Sequence, residues 1–196
     1  MYKSLNAKVY DRALTFVSST TGIVFLAVWS FCEASFWFVA PDFLLVIFAF
    51  LKPTHKNKFF AVALLASFLG GVVYYILNLF ALDSLGEILR HTPFVTDRMI
   101  LFVQETYGKY GHLGVLFQSF TFMSFKIWTN VAVVMGLNPI IYFPLVMISR
   151  VFRLYPVTWL SAYISRYTTN FLKNNFLVVL AGYVILFFTM LIVLEN

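Results

Sequence analysis

SFTFMSFKIWTNVAVVMGLNPIIYFPLVMISRVFR, from Ser119 to Arg153, is almost wholly apolar and aromatic, yet it holds Lys126, Arg150 and Arg153. A cation facing hydrocarbon costs about 3 kcal/mol even on lenient scales, so it is normally turned toward a wet cavity, a partner charge or a bound anion. Asn138-Pro139 is a helix start, an N-cap followed by proline in the first turn. The helix predicted from there to about Ser165 is loosened at Pro144 and Pro156 and carries Arg150 and Arg153 near its midpoint. Three residues apart, the two arginines share a face. From the middle of a span neither reaches a headgroup easily. The three cations read as the working charges of a membrane protein that handles an anionic lipid or ion.

Composition agrees. The 196 residues are 61% hydrophobic and 11% charged, with a mean hydropathy of +0.86. That leaves too little polar surface to coat a water-soluble globule. A net charge of +6 would suggest nucleic acid in a soluble protein. Here the cations sit mostly in short links between apolar runs, the pattern of membrane orientation, and no nucleic-acid partner is expected. Cys32 is alone, so neither a disulfide framework nor a multi-cysteine metal site can be built. No cofactor is expected. Residues 1–16 lack a compact apolar core with a small-residue cleavage site, so the first apolar run is expected to be retained.

A short basic lead (Lys3, Lys8, Arg12) precedes residues 13–51, where Glu33 and Asp42 are the two charges. That length suits two passes, or one helix and a re-entrant hairpin. Pro41 predicts a break. Nine residues apart in an unbroken helix, Glu33 and Asp42 would face opposite ways; a break lets both converge on one cavity. Lys52–Lys58 is a basic loop, expected on the cytoplasmic side with the N-terminus. Phe59–Leu82 is a charge-free span whose Ala66, Ser67, Gly70 and Gly71 form a thin face for close helix contact. Residues 83–97 read as a mixed-charge loop on the opposite side. Residues 98–110 read as an amphipathic interfacial helix. Arg166 and Lys173 flank a further inside link before a last plain span from Asn174 to Leu194.

Two pieces echo each other: SFWFVAPDFLLVIFAFLKP (Ser35–Pro53) and SFTFMSFKIWTNVAVVMGLNP (Ser119–Pro139). Both begin Ser-Phe-x-Phe and end Leu-x-Pro, and seven residues after the serine stand Asp42 and Lys126. The predicted topology puts the pieces on opposite sides, the plan of an inverted repeat with broken elements meeting near mid-membrane. The fold expected is all-α: two repeat halves (1–82 and 111–165), a loop and interfacial helix between them (83–110), and a C-terminal transmembrane helix (171–196). An acidic group of one half would face a basic group of the other, Asp42 against Lys126.

These residues resemble the DedA (VTT, SNARE-associated) membrane protein family. The match is carried by Glu33, Pro41-Asp42-Phe43-Leu44, Lys126 with Thr129, and Arg150-Val-Phe-Arg153, in order and spacing, over roughly Glu33–Ser165. Phe122 and Ser124 stand where that branch usually has one or two prolines, and Ala132-Val133 replace its small-residue pair. The resemblance implies two re-entrant hairpins entering from opposite faces. It implies movement of a phospholipid or polyprenyl-phosphate lipid between leaflets, coupled to protons or another ion. Its functional positions would be Glu33, Asp42, Lys126, Arg150 and Arg153, and its setting a bacterial inner membrane. Two alternatives stand beside it: a proton or ion antiporter, and a non-transporting assembly factor whose buried charges pair only with each other. An enzyme is not expected. His55, His91 and His112 fall in or near expected loops, without HExxH spacing, and no Gly-x-Ser-x-Gly elbow or phosphate-binding glycine loop occurs.

Overall fold

The computed structural model describes residues 2–35, 42–92, 95–121 and 123–195. Among these the chain is 92% helical, with no strand. Among the described residues two helices are long and apolar enough to cross a membrane, Pro53–Phe80 and Pro139–Thr168; a third span arises if the bent pair Leu5–Ser18 and Thr20–Ser35 counts as one. The expectation of an all-helical chain with membrane-spanning elements holds at that level.

The bent pair begins the fold. The basic lead is helical from its second residue, as part of α1 (Tyr2–Ser18), and α2 (Thr20–Ser35) leaves it at 74°. Ser-Ser-Thr-Thr-Gly across the corner supplies caps in place of helix formers. Ser19 Oγ accepts from the Gly22 N–H at 3.0 Å. A Cβ on Gly22 would lie 2.1 Å from the Phe16 carbonyl oxygen, so the corner closes only over glycine. The break expected at Pro41 lies outside the described residues, which resume with α3 (Asp42–Leu51).

After one tight turn at Pro53–His55 the chain enters α4 (Lys56–Phe80), close to the span read from sequence. At about 1.5 Å per residue its 25 residues exceed a hydrocarbon core of about 30 Å. Its glycine pair does what the composition suggested. A Cβ on Gly70 would come within 2.3 Å of the Phe31 carbonyl of α2, and one on Gly71 within 2.6 Å of the Phe125 ring.

Two expected loops are helical instead. Residues 83–97 contain α5 (Leu82–Arg90), because Leu82, Leu85 and Leu89 recur on one face and Leu89 is buried. The link expected at 166–173 is part of α8 (Pro139–Glu195); nothing in Arg166–Lys173 breaks a helix, and the non-helical backbone falls later, at Asn175 (φ −126°, ψ 24°). There the buried Asn6 of α1 accepts from the Leu177 N–H at 3.1 Å, capping the resumed helix. The stretch read as an interfacial helix is helical, as α6 (Asp97–Tyr110), and its Ile100, Val103 and Tyr107 are buried.

The stretch from Gly111 is broken in two: a tight 3-10 segment (Gly111–Phe120), then α7 (Phe125–Val134). Asn138 Oδ1 accepts from the Ile140 N–H at 2.9 Å and starts α8, as Asn-Pro predicts. One apolar cluster gathers Trp128, Val131, Tyr142 and Val146 around α7; another gathers Leu26, Leu45, Phe48, Phe59 and Leu154 around α3 and α4. Along α8, Ser149 and Arg150 fall between the two.

Candidate functional site

Four of the charges singled out in the sequence come together as two ion pairs, one buried and one partly buried. Arg150 Nη1 donates to Glu33 Oε2 at 3.3 Å, with the two side chains 0% and 7% exposed. Arg153 Nε donates to Asp42 Oδ2 at 2.8 Å, at 12% and 20% exposure. The face shared by Arg150 and Arg153 on α8 therefore meets the end of α2 and the start of α3. This corrects one expectation: Asp42 pairs with Arg153, not Lys126. The repeat echo aligns Asp42 with Lys126 in sequence, but pairing depends on which faces meet, and α3 contacts α8.

Lys126 is 5% exposed on the first turn of α7, where Glu33 acts on it electrostatically. A helix N-terminus carries partial positive charge, so a lysine there adds to a field that already favours an anion. Asp42, on the first turn of α3, sits where the same field stabilises a carboxylate. Lys126, Arg150 and Arg153 thus lie in the same region as Glu33 and Asp42.

Arg150 has a second contact. Its guanidinium carbon lies 4.3 Å from the centroid of the Phe125 ring, a cation–π geometry. Gly71 lies against the edge of that ring. Arg150 Nε and Nη2 have no hydrogen-bond partner among the described residues, and neither do Gln118 Nε2 and Asp42 Oδ1. Buried polar atoms are almost always satisfied, so these four leave hydrogen-bonding capacity open in and around the ion pairs. Thr121, in the break between the 3-10 segment and α7, offers its carbonyl to Arg153 Nη1 at 3.5 Å.

Sequence reasoning missed the neutral residues that frame these charges. Ser149 Oγ meets the Gln118 side-chain oxygen at 2.9 Å and the Val115 carbonyl at 3.1 Å, while Ser119 Oγ donates to the Ser149 carbonyl at 2.8 Å. Tyr183 stacks on Phe43 at 5.0 Å and donates to its carbonyl at 3.3 Å, fastening the far part of α8 beside Asp42. The available signal was polar side chains inside apolar runs, with Ser149 adjoining Arg150. Tyr75 is part of the core against Tyr142 and Phe143.

One helical turn beyond Lys126 on α7, Asn130 donates to the buried Asn78 of α4 at 2.7 Å. Asn130 also lines a pocket of about 610 Å³ between α5, α6 and α7, with Asp83, Glu87, Arg90, His91 and Gln104 around it. Among the described residues no group of three or more His, Cys, Asp or Glu could hold a metal ion.

Comparison with known proteins gives no family. No family model matches the chain, and no solved structure does. A protein of Haemophilus influenzae described as uncharacterized is 25% identical over 146 residues, which is 74% of this chain and 73% of that protein.

Proposed function

We propose that the chain is a membrane transporter of the DedA type that moves an anionic lipid, a phospholipid or polyprenyl phosphate, between leaflets with proton or other ion coupling. The supporting observation is Arg150: fully buried, held by one carboxylate contact, and left with two donor nitrogens unmatched among the described residues beside a second buried cation, Lys126. A guanidinium presents its donors as a planar fork that suits phosphate oxygens. In this reading the headgroup phosphate enters between Lys126 and the Arg150/Arg153 face. Glu33 and Asp42 let go of the arginines as they take up a proton and reclaim them when the phosphate leaves. The acyl tails stay in lipid throughout.

The same reading takes α2–α3 and the 3-10 segment with α7 as two re-entrant hairpins of an inverted repeat. Each ends in a ten-residue helix with its charge on the first turn, Asp42 or Lys126. Orientation follows the basic links: N-terminus and Lys52–Lys58 in the cytoplasm of a bacterial inner-membrane protein.

The test is leaflet exchange of fluorescent phospholipids and of a polyprenyl phosphate in reconstituted liposomes, with and without a pH gradient. Arg150→Ala and Arg153→Ala are expected to abolish exchange; normal exchange by both would end the proposal. A second reading has its own support. Both carboxylates are already paired, as they would be in an assembly factor held by structural ion pairs.

A further inference from the structure

A separate groove lies at one end of the two long spans. Lys56 opens α4 and Arg166 stands near the end of the span Pro139–Thr168, and the two helices pack together, so both cations mark the same membrane surface. With Pro156, Trp159, Leu160 and Tyr163 they line a groove of about 480 Å³. No carboxylate lines it, and neither cation has an ion-pair partner among the described residues.

The groove is built, not incidental. Lys56 Nζ sits 5.1 Å from the Trp159 ring centroid. That ring is fixed by stacking on Tyr155 at 4.1 Å and by the edge of Phe60 at 5.4 Å. Leu160 and Tyr163 are exposed, at 60% and 58%, and continue the groove as an apolar strip. Two cations lining one groove with an aromatic and aliphatic wall suit a phosphate headgroup with its first acyl carbons. Tryptophan and tyrosine collect at this depth because their rings are apolar and their tips polar, and basic side chains near an anionic leaflet are attracted to it.

We infer that this groove is a binding site for an anionic phospholipid at the membrane surface, distinct from the buried charges and independent of whether they carry lipid. Lys56 and Arg166 hold the phosphate, and Trp159, Leu160 and Tyr163 hold the chain.

Native mass spectrometry of the detergent-solubilised protein, with phosphatidylglycerol or phosphatidylcholine added, tests it. Retention of phosphatidylglycerol is expected to exceed that of phosphatidylcholine several-fold, with free glycerol phosphate failing to compete. Lys56→Gln/Arg166→Gln is expected to bring the ratio near one, while Lys58→Gln/Lys173→Gln, on basic residues that do not line the groove, leaves it unchanged. Circular dichroism identifies folded variants, and Lys56→Gln and Arg166→Gln singly, each lowering the ratio, serve should the double variant not fold. Equal retention of both lipids by the wild type overturns the site. An equal fall in the two double variants overturns it in favour of diffuse attraction, and full competition by glycerol phosphate overturns the lipid as occupant.

Discussion

At the scale of residues, the Glu33–Arg150 pair separates a structural charge from a working one. Removing one partner of a buried pair leaves the other uncompensated and typically costs about 3–5 kcal/mol, whereas apolar replacement of both is often nearly neutral. Glu33→Gln and Arg150→Gln are each expected to lower the midpoint of thermal unfolding in detergent, and Glu33→Arg/Arg150→Glu to recover most of the loss. Lipid exchange should stay absent in all three, because the swap moves the guanidinium from α8 to α2 and away from Phe125. Exchange restored by the swap would assign the pair to structure alone. Gly71 offers a gentler probe of the same group. A methyl there meets the Phe125 ring, which carries Arg150 on its other contact, and overpacking of this kind costs about 1–3 kcal/mol. Gly71→Ala should therefore slow exchange more than it lowers stability, read as exchange rate against unfolding midpoint on one preparation.

At the scale of elements, what could be read in advance was what neighbours in sequence decide. Asn138-Pro139 starts a helix because the asparagine side chain reaches a backbone N–H two residues on. Gly70 admits α2 and Gly71 admits the Phe125 ring because the absence of a Cβ is a local fact. The five charges were conspicuous because each stands in an apolar run. Their pairing was not legible, since it depends on how α8 is rotated against α2 and α3, which no short window contains. The corner at Ser19 and the break at Asn175 were missed for a related reason. A serine or asparagine within an apolar run does not by itself mark a break: at Ser19 the cap is local, on Gly22, and at Asn175 the group that makes the alternative favourable is Asn6, more than 160 residues earlier. Asn6→Ala is expected to cost about 1 kcal/mol, as loss of a helix cap does. Faster proteolysis near Asn175, with wild-type rates in the Lys52–Lys58 turn, would show that the effect is confined to this joint.

For the whole molecule, the question is which end of the bundle faces which solution. The ends of α4 differ in character: Lys52, Lys56 and Lys58 gather at its start, while beyond its other end α5 and α6 mix Asp83, Glu87, Asp97 and Glu105 with Arg90, Arg98 and Lys109. A 25-residue helix is long enough to hold these ends on opposite sides. Asn57 and Ser84 are exposed at the two ends, and Asn130 lines the pocket opening between α5, α6 and α7. In a Cys32→Ser background, a membrane-impermeant thiol reagent added outside intact cells should react with Ser84→Cys and leave Asn57→Cys protected until the cells are lysed. Asn130→Cys should react from the same side as Ser84→Cys, more slowly, because it sits at the floor of that pocket one turn from Lys126. Labelling of Asn57→Cys from outside would invert the orientation. Labelling of Asn130→Cys only from the Asn57 side would show that the buried charges are reached through the basic end, and the pocket beneath α5 would then have no part in the path.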